Sequence, residues 1–258
     1  MPKMRSTKLR FKKWLFEPQW RDRLEDAVQE GTGAIAPLFS FLPYGSTIKH
    51  RAAVALGQVI TRLADEQIEE GRNVVRRLMW HMNEESGNIG WGIPEAFGEI
   101  LAASERLAKE YHTILFSYII NTGQDDNYCD NAALRRSCYW AAGRLAEARP
   151  QLCLRWHSRI ADGLHDVDIV CRGQAAWGLS HLPPDFMDVP TLRRLAESGH
   201  AELCELFDGD VVYENTVSQL AYETLFRVSS ACKYTSYAEE DNHDDIFSNS
   251  NYLWSRDT

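Results

Sequence analysis

Arg51-Ala52-Ala53-Val54-Ala55-Leu56-Gly57 ends in three residues whose pattern returns along the chain and indicates the fold. The Ala-x-Gly pattern recurs as Ala96-Phe97-Gly98, Ala141-Ala142-Gly143 and Ala176-Trp177-Gly178, at glycine separations of 41, 45 and 35 residues. A glycine inside a helix costs roughly 1 kcal/mol relative to alanine, so its regular return needs a compensating cause. Close helix approach supplies one, because alanine and glycine flatten the helix surface. The pattern therefore predicts repeated helices that pack near each other's backbones.

Each copy of the pattern lies in a segment with helical periodicity, and a second amphipathic segment follows it. The predicted first helices are Thr47 to Leu63, Pro94 to Leu107, Ala132 to Ala148 and Val167 to Leu179. The predicted second helices are Glu69 to Asn83, about Ala108 to Ile120, Pro150 to Leu164 and Thr191 to Glu197. One helical hairpin cannot bury both of its faces, whereas stacked hairpins share a continuous core. The sequence therefore predicts an all-α protein, an α-solenoid of helical hairpins. The alternating helices and the repeat near 40 residues resemble those of the HEAT and armadillo class, so HEAT/armadillo-like hairpins are expected.

The ends of the chain differ from this repeat. Residues 1–16 are predicted to form a basic N-terminal arm, and residues 17–45 a degenerate hairpin that caps the repeats at about 46–200. Asp208-Gly209 lies between two apolar segments, which predicts a small β-hairpin near the C-terminus. A capping helix completes residues 201–230, with Asn215 or Thr216 as its N-cap. One solenoid domain is thus expected over 17–230, followed by an acidic, mobile tail at 231–258.

The overall charge limits the classes of partner. The chain has 258 residues, 28 Lys and Arg against 37 Asp and Glu, and a formal charge of −9. A surface that holds phosphate backbones needs clustered basic residues, so nucleic-acid binding is not expected. No run approaches the roughly 18 apolar residues that cross a bilayer, so no membrane span is expected either. The six cysteines are irregularly spaced without a Cys-x-x-Cys pair, which predicts reduced thiols and a cytoplasmic location.

Three roles fit the composition of the basic N-terminal arm. It carries six Lys and Arg residues and no acid, but it lacks the apolar core and the cleavage site of a secretory signal. An organelle transit segment, a helix lying on a membrane surface, and an arm that packs its aromatic residues on the body all fit this composition.

The repeat resembles a known class of proteins. An Arg precedes the Ala-x-Gly segment at Arg51 and again at Arg172, as in the short HEAT-like repeats named for phycobilisome lyases. The resemblance covers about Thr47 to Glu197, although Gly92 and Ser137 stand where Arg would fall in the second and third copies. The segment from Asn83 to Ala96 also looks like a stretch found in uncharacterised bacterial HEAT-like proteins. The resemblance implies a fold, and it is weak for function because this repeat serves many tasks.

The most unusual local sequence is the glycine-rich loop from Ser86 to Pro94. Free amide groups of Gly92 and Ile93 at a positive helix end can bind an anion, which the surrounding acids oppose. The loop and its neighbours predict a ligand- or partner-binding site made of Glu84, Glu85, Trp91, Glu95, Glu99 and His81. The competing interpretation is a structural connector between repeats, with Trp91 as an aromatic plug.

Two carboxylates of this group have a spacing that bears on chemistry. Glu95 and Glu99 lie one helical turn apart, which fits paired carboxylates for metal or acid–base work and equally fits a solvated helix face. The sequence contains no zinc pattern, nucleophile elbow or phosphate-binding loop. No catalytic residue, metal site or cofactor is therefore predicted.

Three hypotheses about function follow. The leading one is a non-catalytic scaffold or adaptor whose concave groove binds a protein or peptide of basic or apolar character. The alternative, implied by the resemblance, is a cofactor-handling lyase- or chaperone-like protein, in which Glu84, Glu85 and Trp91 hold the ligand and His81 donates a proton. Nucleic-acid processing ranks last. The arm alone holds six of the 28 basic residues, so the rest of the chain has an even larger excess of the 37 acids over bases.

Overall fold

The chain folds into a stack of helical hairpins followed by a small β-hairpin. The computed structural model describes residues 2–83, 90–124, 127–184 and 187–227. Its helices are α1 (Pro2–Phe16), α2 (Leu24–Glu30), α3 (Thr32–Phe39), α4 (Ser46–Glu66), α5 (Ile68–Met82), α6 (Ile93–Ala103), α7 (Glu105–Ser117), α8 (Ala132–Ala148), α9 (Pro150–Cys153), α10 (His157–Asp162), α11 (Ile169–Leu179) and α12 (Val189–Glu197). The strands β1 (Leu203–Phe207) and β2 (Val212–Thr216) precede α13, which is described over residues 217–227. The predicted α-solenoid with a small β-hairpin is confirmed.

The four first helices form one layer, in which α4, α6, α8 and α11 pack in succession. The Ala-x-Gly segments make these contacts. A Cβ added to Gly98 would lie 2.9 Å from Cα of Ala141, and one added to Gly143 would lie 3.0 Å from Cα of Gly178. The predicted close approach of neighbouring helices is therefore confirmed, and it explains why glycine is kept at a helical position where alanine has the higher propensity.

The second helices complete the hairpins. Helices α5, α7 and α9 each pack on the first helix that precedes them. The second helix of the third repeat is not the single helix predicted from Pro150 to Leu164. It is divided into α9, α10 and two 3-10 turns. One cause is local, because His157 Nδ1 donates a hydrogen bond to the carbonyl of Leu154 at 2.7 Å and competes with the helical bonding pattern.

The N-terminal segments pack on the first repeat. Helix α1 buries Phe11, Trp14 and Leu15. The segment after it is a 3-10 turn over Trp20–Arg23 followed by α2. Gly31 then separates α2 from α3 with a φ of 58°, in the left-handed region that glycine adopts at little cost. No helix in the described part of the chain is both long enough and apolar enough to cross a lipid bilayer.

The β-hairpin joins the two ends of the solenoid. Strands β1 and β2 pair antiparallel, with Phe207 opposite Val212 next to the predicted turn. On one side, Gln174 Nε2 of α11 donates a hydrogen bond to the carbonyl of Glu205 at 2.9 Å. On the other side, Trp20 Nε1 donates to Asp210 Oδ1 at 2.8 Å, across 190 residues of sequence. The hairpin therefore lies across the layer of first helices from the last repeat back to the first.

Candidate functional site

An open cleft of about 610 Å³ lies where the hairpin crosses the N-terminal turns of the first helices. Four helices and strand β1 contribute to it. Its lining residues are Lys49, His50, Glu95, Ala133, Arg136, Ser137, Trp140, Val170, Gln174, Leu203 and Glu205. These side chains are far apart in sequence, and they meet because successive repeats place their first helices side by side and the hairpin returns over them.

Lys49 is the centre of a charge cluster in this cleft. Its Nζ lies 2.8 Å from Glu95 Oε1 and 2.8 Å from Glu205 Oε1, so it bridges α6 and β1. Ser137 Oγ donates a second hydrogen bond to Glu95 Oε1 at 2.8 Å. His50 Nε2 donates to Glu205 Oε1 at 3.0 Å. Each carboxylate thus uses one oxygen for two donors.

The cluster keeps its members charged. Burial alone would raise the pKa of Glu95, but Lys49 and His50 outweigh burial and hold that pKa below its ordinary value. Burial also opposes ionisation of Glu205, yet hydrogen bonds and charges from His50 and Lys49 lower its pKa to about 2. The two carboxylates in turn raise the pKa of Lys49 although burial favours its neutral form. Lys49 is therefore a cation near neutral pH and a poor nucleophile.

Four buried polar atoms on the lining side chains have no hydrogen-bond partner among the described residues. They are Glu95 Oε2, Gln174 Oε1, His50 Nδ1 and Trp140 Nε1. His50 Nε2 donates to a carboxylate, so Nδ1 accepts a hydrogen bond when the ring is neutral and donates one when the ring is protonated. A buried polar atom without a partner costs about 1–3 kcal/mol, so four in one cleft form an unusual concentration. The cleft can accept N–H donors at Glu95 Oε2 and Gln174 Oε1, and it can donate to one acceptor from Trp140 Nε1.

Aromatic side chains hold this cluster in place. The ring of His50 stacks on Phe207 with centroids 5.0 Å apart and planes 9° apart. The ring centroid of Trp140 lies 4.8 Å from that of His50. Trp140 also stacks on Trp177, with ring centroids 6.2 Å apart. The stacked rings connect α4, α8, α11 and β1, so the cleft is framed by packed rings with few available rotamers.

The sequence-predicted site residues are only partly brought together. Glu95 lines the cleft, whereas Glu99 lies one turn further along α6 and pairs with Arg144 Nε at 3.0 Å. Both carboxylates are buried, at 2% and 5% exposure, so the alternative of a solvated helix face is wrong. Trp91 is 40% exposed, and His81 contacts Trp80 with ring centroids 5.3 Å apart; neither lines the cleft.

Two further members of the predicted site, Glu84 and Glu85, lie outside the described residues. The prediction that the amide groups of Gly92 and Ile93 are free to bind an anion is wrong. Gly92 and Ile93 are both buried, and the amide of Ile93 donates to the carbonyl of Gly90 at 3.0 Å. A Cβ at Gly92 would collide with the carbonyl of Leu42, because the chain passes close to the turn after α3 here. This helix end is packed against protein and offers no anion site.

No cysteine lines the cleft, and the described residues form no metal-binding group there. Within residues 2–83, 90–124, 127–184 and 187–227, no three His, Cys, Asp or Glu side chains are grouped as a metal site would need. Cys129, Cys138, Cys153, Cys171 and Cys204 are buried free thiols. The sequence signal that could have found the cleft is weak, since Lys49, Trp140, Gln174 and Glu205 belong to four different elements and share no motif.

Comparisons with known proteins find no family model and no curated protein sequence that matches the chain. Among solved structures, it is similar to a computationally designed armadillo repeat protein for modular peptide recognition, with 14% identity and a TM-score of 0.44. That alignment covers 84% of this chain and 98% of the other. The resemblance to the repeats of phycobilisome lyases therefore stays a prediction.

Proposed function

We propose that this protein is a non-catalytic helical-repeat scaffold that binds a peptide segment of a partner protein in the cleft between the first helices and the β-hairpin. One observation carries the proposal, namely the four unpartnered polar atoms on residues that line the cleft. They comprise acceptors and a donor, and peptide groups offer both N–H and C=O. A bound peptide would satisfy atoms that otherwise weaken the fold.

The charges favour a basic or neutral segment over an acidic one. Glu95 and Glu205 share one cation, Lys49, and the nearby Arg136 is already paired with Asp168 through two hydrogen bonds of 2.9 and 2.7 Å. An acidic side chain would meet two carboxylates at close range, whereas an ammonium, guanidinium or amide group would find free acceptor atoms. The net negative charge of the whole chain also attracts basic partners.

Two further features support the proposal. Lys49 is held as an ion between carboxylates, so it serves structure and recognition better than covalent catalysis. The buried free cysteines favour a reducing, cytoplasmic location, where an adaptor would meet intracellular partners.

The test is a selection from a random peptide library on the purified full-length protein, followed by affinity measurement for the selected peptides by isothermal titration calorimetry. We expect enrichment of Lys, Arg, Asn and Gln and depletion of Asp and Glu. Glu95→Gln removes a cleft charge, and Trp140→Phe removes the indole donor while it keeps an aromatic ring. Each should weaken binding by about tenfold, the usual effect of one buried polar contact.

The control is Glu99→Gln, which changes a buried carboxylate on the same helix but outside the cleft. This variant should bind selected peptides with affinity close to that of the wild type. Failure to select any binder, or equal weakening by Glu95→Gln and Glu99→Gln, would contradict the proposal. Circular dichroism verifies that each variant remains folded.

A further inference from the structure

A second cleft of about 550 Å³ lies between α11 and α12, in the last repeat. It shares no lining residue with the first cleft, and no carboxylate lines it. Its lining residues are Leu164, His165, Arg172, Thr191, Arg194, Leu195, Ser198 and His200. In a chain with a net charge of −9, two arginines and two histidines around one cleft are a local exception that the overall composition does not explain.

Arg172 is oriented by a neutral acceptor. Its Nε donates a hydrogen bond to the carbonyl of Asp166 at 2.6 Å, and its side chain is half-buried. The carboxylate of Asp166 is used elsewhere, by Arg135 through hydrogen bonds of 2.8 and 2.9 Å. The guanidinium of Arg172 is therefore positioned but not neutralised, and its terminal nitrogens have no partner among the described residues.

The first repeat has an equivalent arginine, Arg51, which other parts of the protein cover. Arg51 occupies the same place relative to the Ala-x-Gly pattern as Arg172. Nη1 of Arg51 donates to the carbonyls of Leu15 and Glu17, both at 2.9 Å, so the N-terminal segment covers it. In the last repeat, the carbonyl of Asp166 accepts from Nε of Arg172, and no carbonyl of the described residues binds its terminal nitrogens. The same repeat position is structural in the first copy and open to a ligand in the fourth.

Arg194 approaches the same cleft from α12. Its Nη2 donates to Thr191 Oγ1 at 2.8 Å, and Thr191 is itself buried. Among the described residues, neither Arg172 nor Arg194 forms an ion pair with a carboxylate. The two guanidinium charges that face this cleft repel each other, and Asp188, which interacts with Arg194 and His165, offsets only one of them. A bound anion would lower the repulsion that is left.

The remaining polar residues suit an oxyanion. Nδ1 of His200 lies 3.1 Å from Glu202 Oε2, so that carboxylate holds one ring nitrogen and leaves Nε2 for the cleft. His165 Nε2 lies 3.6 Å from Asp188 Oδ2. Ser198 also lines the cleft, and its Oγ donates to the carbonyl of Leu195 at 2.6 Å. Donors thus come from the turn after α10, from α11, from α12 and from the segment that follows α12.

We propose that this second cleft binds a phosphate monoester, with Arg172 and Arg194 as its main ligands. A phosphate monoester carries a charge of about −1.5 to −2 near neutral pH, which matches two guanidinium groups, whereas a carboxylate balances one. The planar guanidinium also presents paired N–H groups at the spacing of two phosphate oxygens. The proposal does not depend on peptide binding in the first cleft.

The test is calorimetric titration of the full-length protein with three probes. These are inorganic phosphate, an acetylated and amidated hexapeptide with a central phosphoserine, and the same peptide with serine. We expect both phosphate-bearing probes to bind and the serine peptide not to bind. Inorganic phosphate that binds as tightly as the phosphopeptide identifies free phosphate as the ligand, and a tighter phosphopeptide identifies a phosphorylated partner.

The variants are Arg194→Gln and Arg172→Lys, with Arg193→Gln as the matched control. Arg193 is exposed, adjacent to Arg194 on α12, and does not line the cleft. Arg194→Gln should weaken phosphate binding by at least about tenfold, and Arg172→Lys should weaken it although it keeps the charge, because the paired N–H groups are lost. Absence of binding by all probes, or equal weakening by Arg193→Gln and Arg194→Gln, overturns the proposal. Arg194 is exposed, so its variant is expected to fold, and circular dichroism checks this.

Discussion

Lys49 shows at the scale of single residues how the cleft is stabilised. It is the cation shared by Glu95 and Glu205, so its removal leaves two carboxylates without their main partner. Breaking a buried ion pair by removing one partner costs about 3–5 kcal/mol. We therefore expect Lys49→Met to lower the free energy of unfolding by about 3 kcal/mol in urea denaturation at pH 7.

A double variant separates charge from packing. In Lys49→Met/Glu95→Gln one of the unpaired charges is also removed, so part of the lost stability should return. An unfolding free energy for Lys49→Met within about 0.5 kcal/mol of the wild type would show that the cluster is solvated rather than buried.

Glu205 gives the cluster a defined response to pH. Its pKa is lowered to about 2, against about 4.3 for an unperturbed glutamate. The folded state therefore binds protons less readily than the unfolded state, and ionised Glu205 stabilises the protein above about pH 4.3. This contribution is lost as the pH falls from about 4.3 toward 2. We expect the difference in unfolding free energy between wild type and Glu205→Gln to be constant above pH 5 and to shrink below it, as measured by urea denaturation.

The control for this experiment is Glu214→Gln. Glu214 pairs with Glu205 across the hairpin, yet it is exposed and forms no ion pair among the described residues. Its variant should follow the wild type at every pH. A pH dependence that is the same for Glu205→Gln as for the wild type would show that another group governs acid sensitivity.

At the scale of secondary-structure elements, the Ala-x-Gly positions set the distance between first helices. A Cβ at Gly98 would lie 2.9 Å from both Cα and Cβ of Ala141, where backbone must move. Although alanine is the better helix former by about 1 kcal/mol, we expect Gly98→Ala to destabilise the protein by about 1–3 kcal/mol in thermal or urea unfolding.

Gly33 supplies the matched control within α3. A Cβ there would meet only the flexible side chain of Glu30, at 3.2 Å. Gly33→Ala should therefore stabilise the protein slightly, because the helix propensity gain meets little steric cost. If both alanine variants shift stability in the same direction, the close approach of α6 and α8 is not what selects glycine.

The same elements show which parts of the fold the sequence can predict. The bounds of α8 were predicted correctly from residue 132 to 148, because Asn131 is a local N-cap and its Oδ1 accepts from the amide of Leu134 at 3.0 Å. The division of this predicted second helix escaped prediction, because it depends partly on contacts with the first helix of the same hairpin, such as Gly163, just after α10, against Tyr139 of α8. Local signals specify helices and caps, and tertiary contacts decide where they break.

The candidate site was less predictable for a related reason. Glu95 stood out in the sequence because it follows the glycine-rich loop, and it does line the cleft. Its partners Lys49 and Glu205 are 46 and 110 residues away, and a single sequence carries no signal that pairs them. The return of the β-hairpin over the first repeat creates the site, and this is a property of the whole chain.

At the scale of the whole molecule, contact between the ends distinguishes this protein from an open solenoid. In an open array each repeat contacts only its neighbours, so unfolding can begin at either end. Here Trp20 donates to Asp210, and Lys49 bridges to Glu205, so the first and last parts of the chain stabilise each other. The hairpin and the N-terminal turn should therefore open together, and the cleft between them should be lost in the same step.

Asp210→Ala tests this coupling. It removes the carboxylate that accepts from Trp20 Nε1 and that lies near Arg21. We expect the free energy of unfolding to fall by about 1 kcal/mol, or Tm by about 2–4 °C. In hydrogen exchange measured by mass spectrometry, protection should fall in both β1–β2 and residues 20–23, while α7 keeps its protection. Asp22→Ala changes an exposed acid in the same turn, without an ion pair among the described residues, and should leave exchange unchanged. Loss of protection in the hairpin alone would mean that the ends open independently, because a coupled pair of segments cannot lose one contact partner without the other becoming less protected.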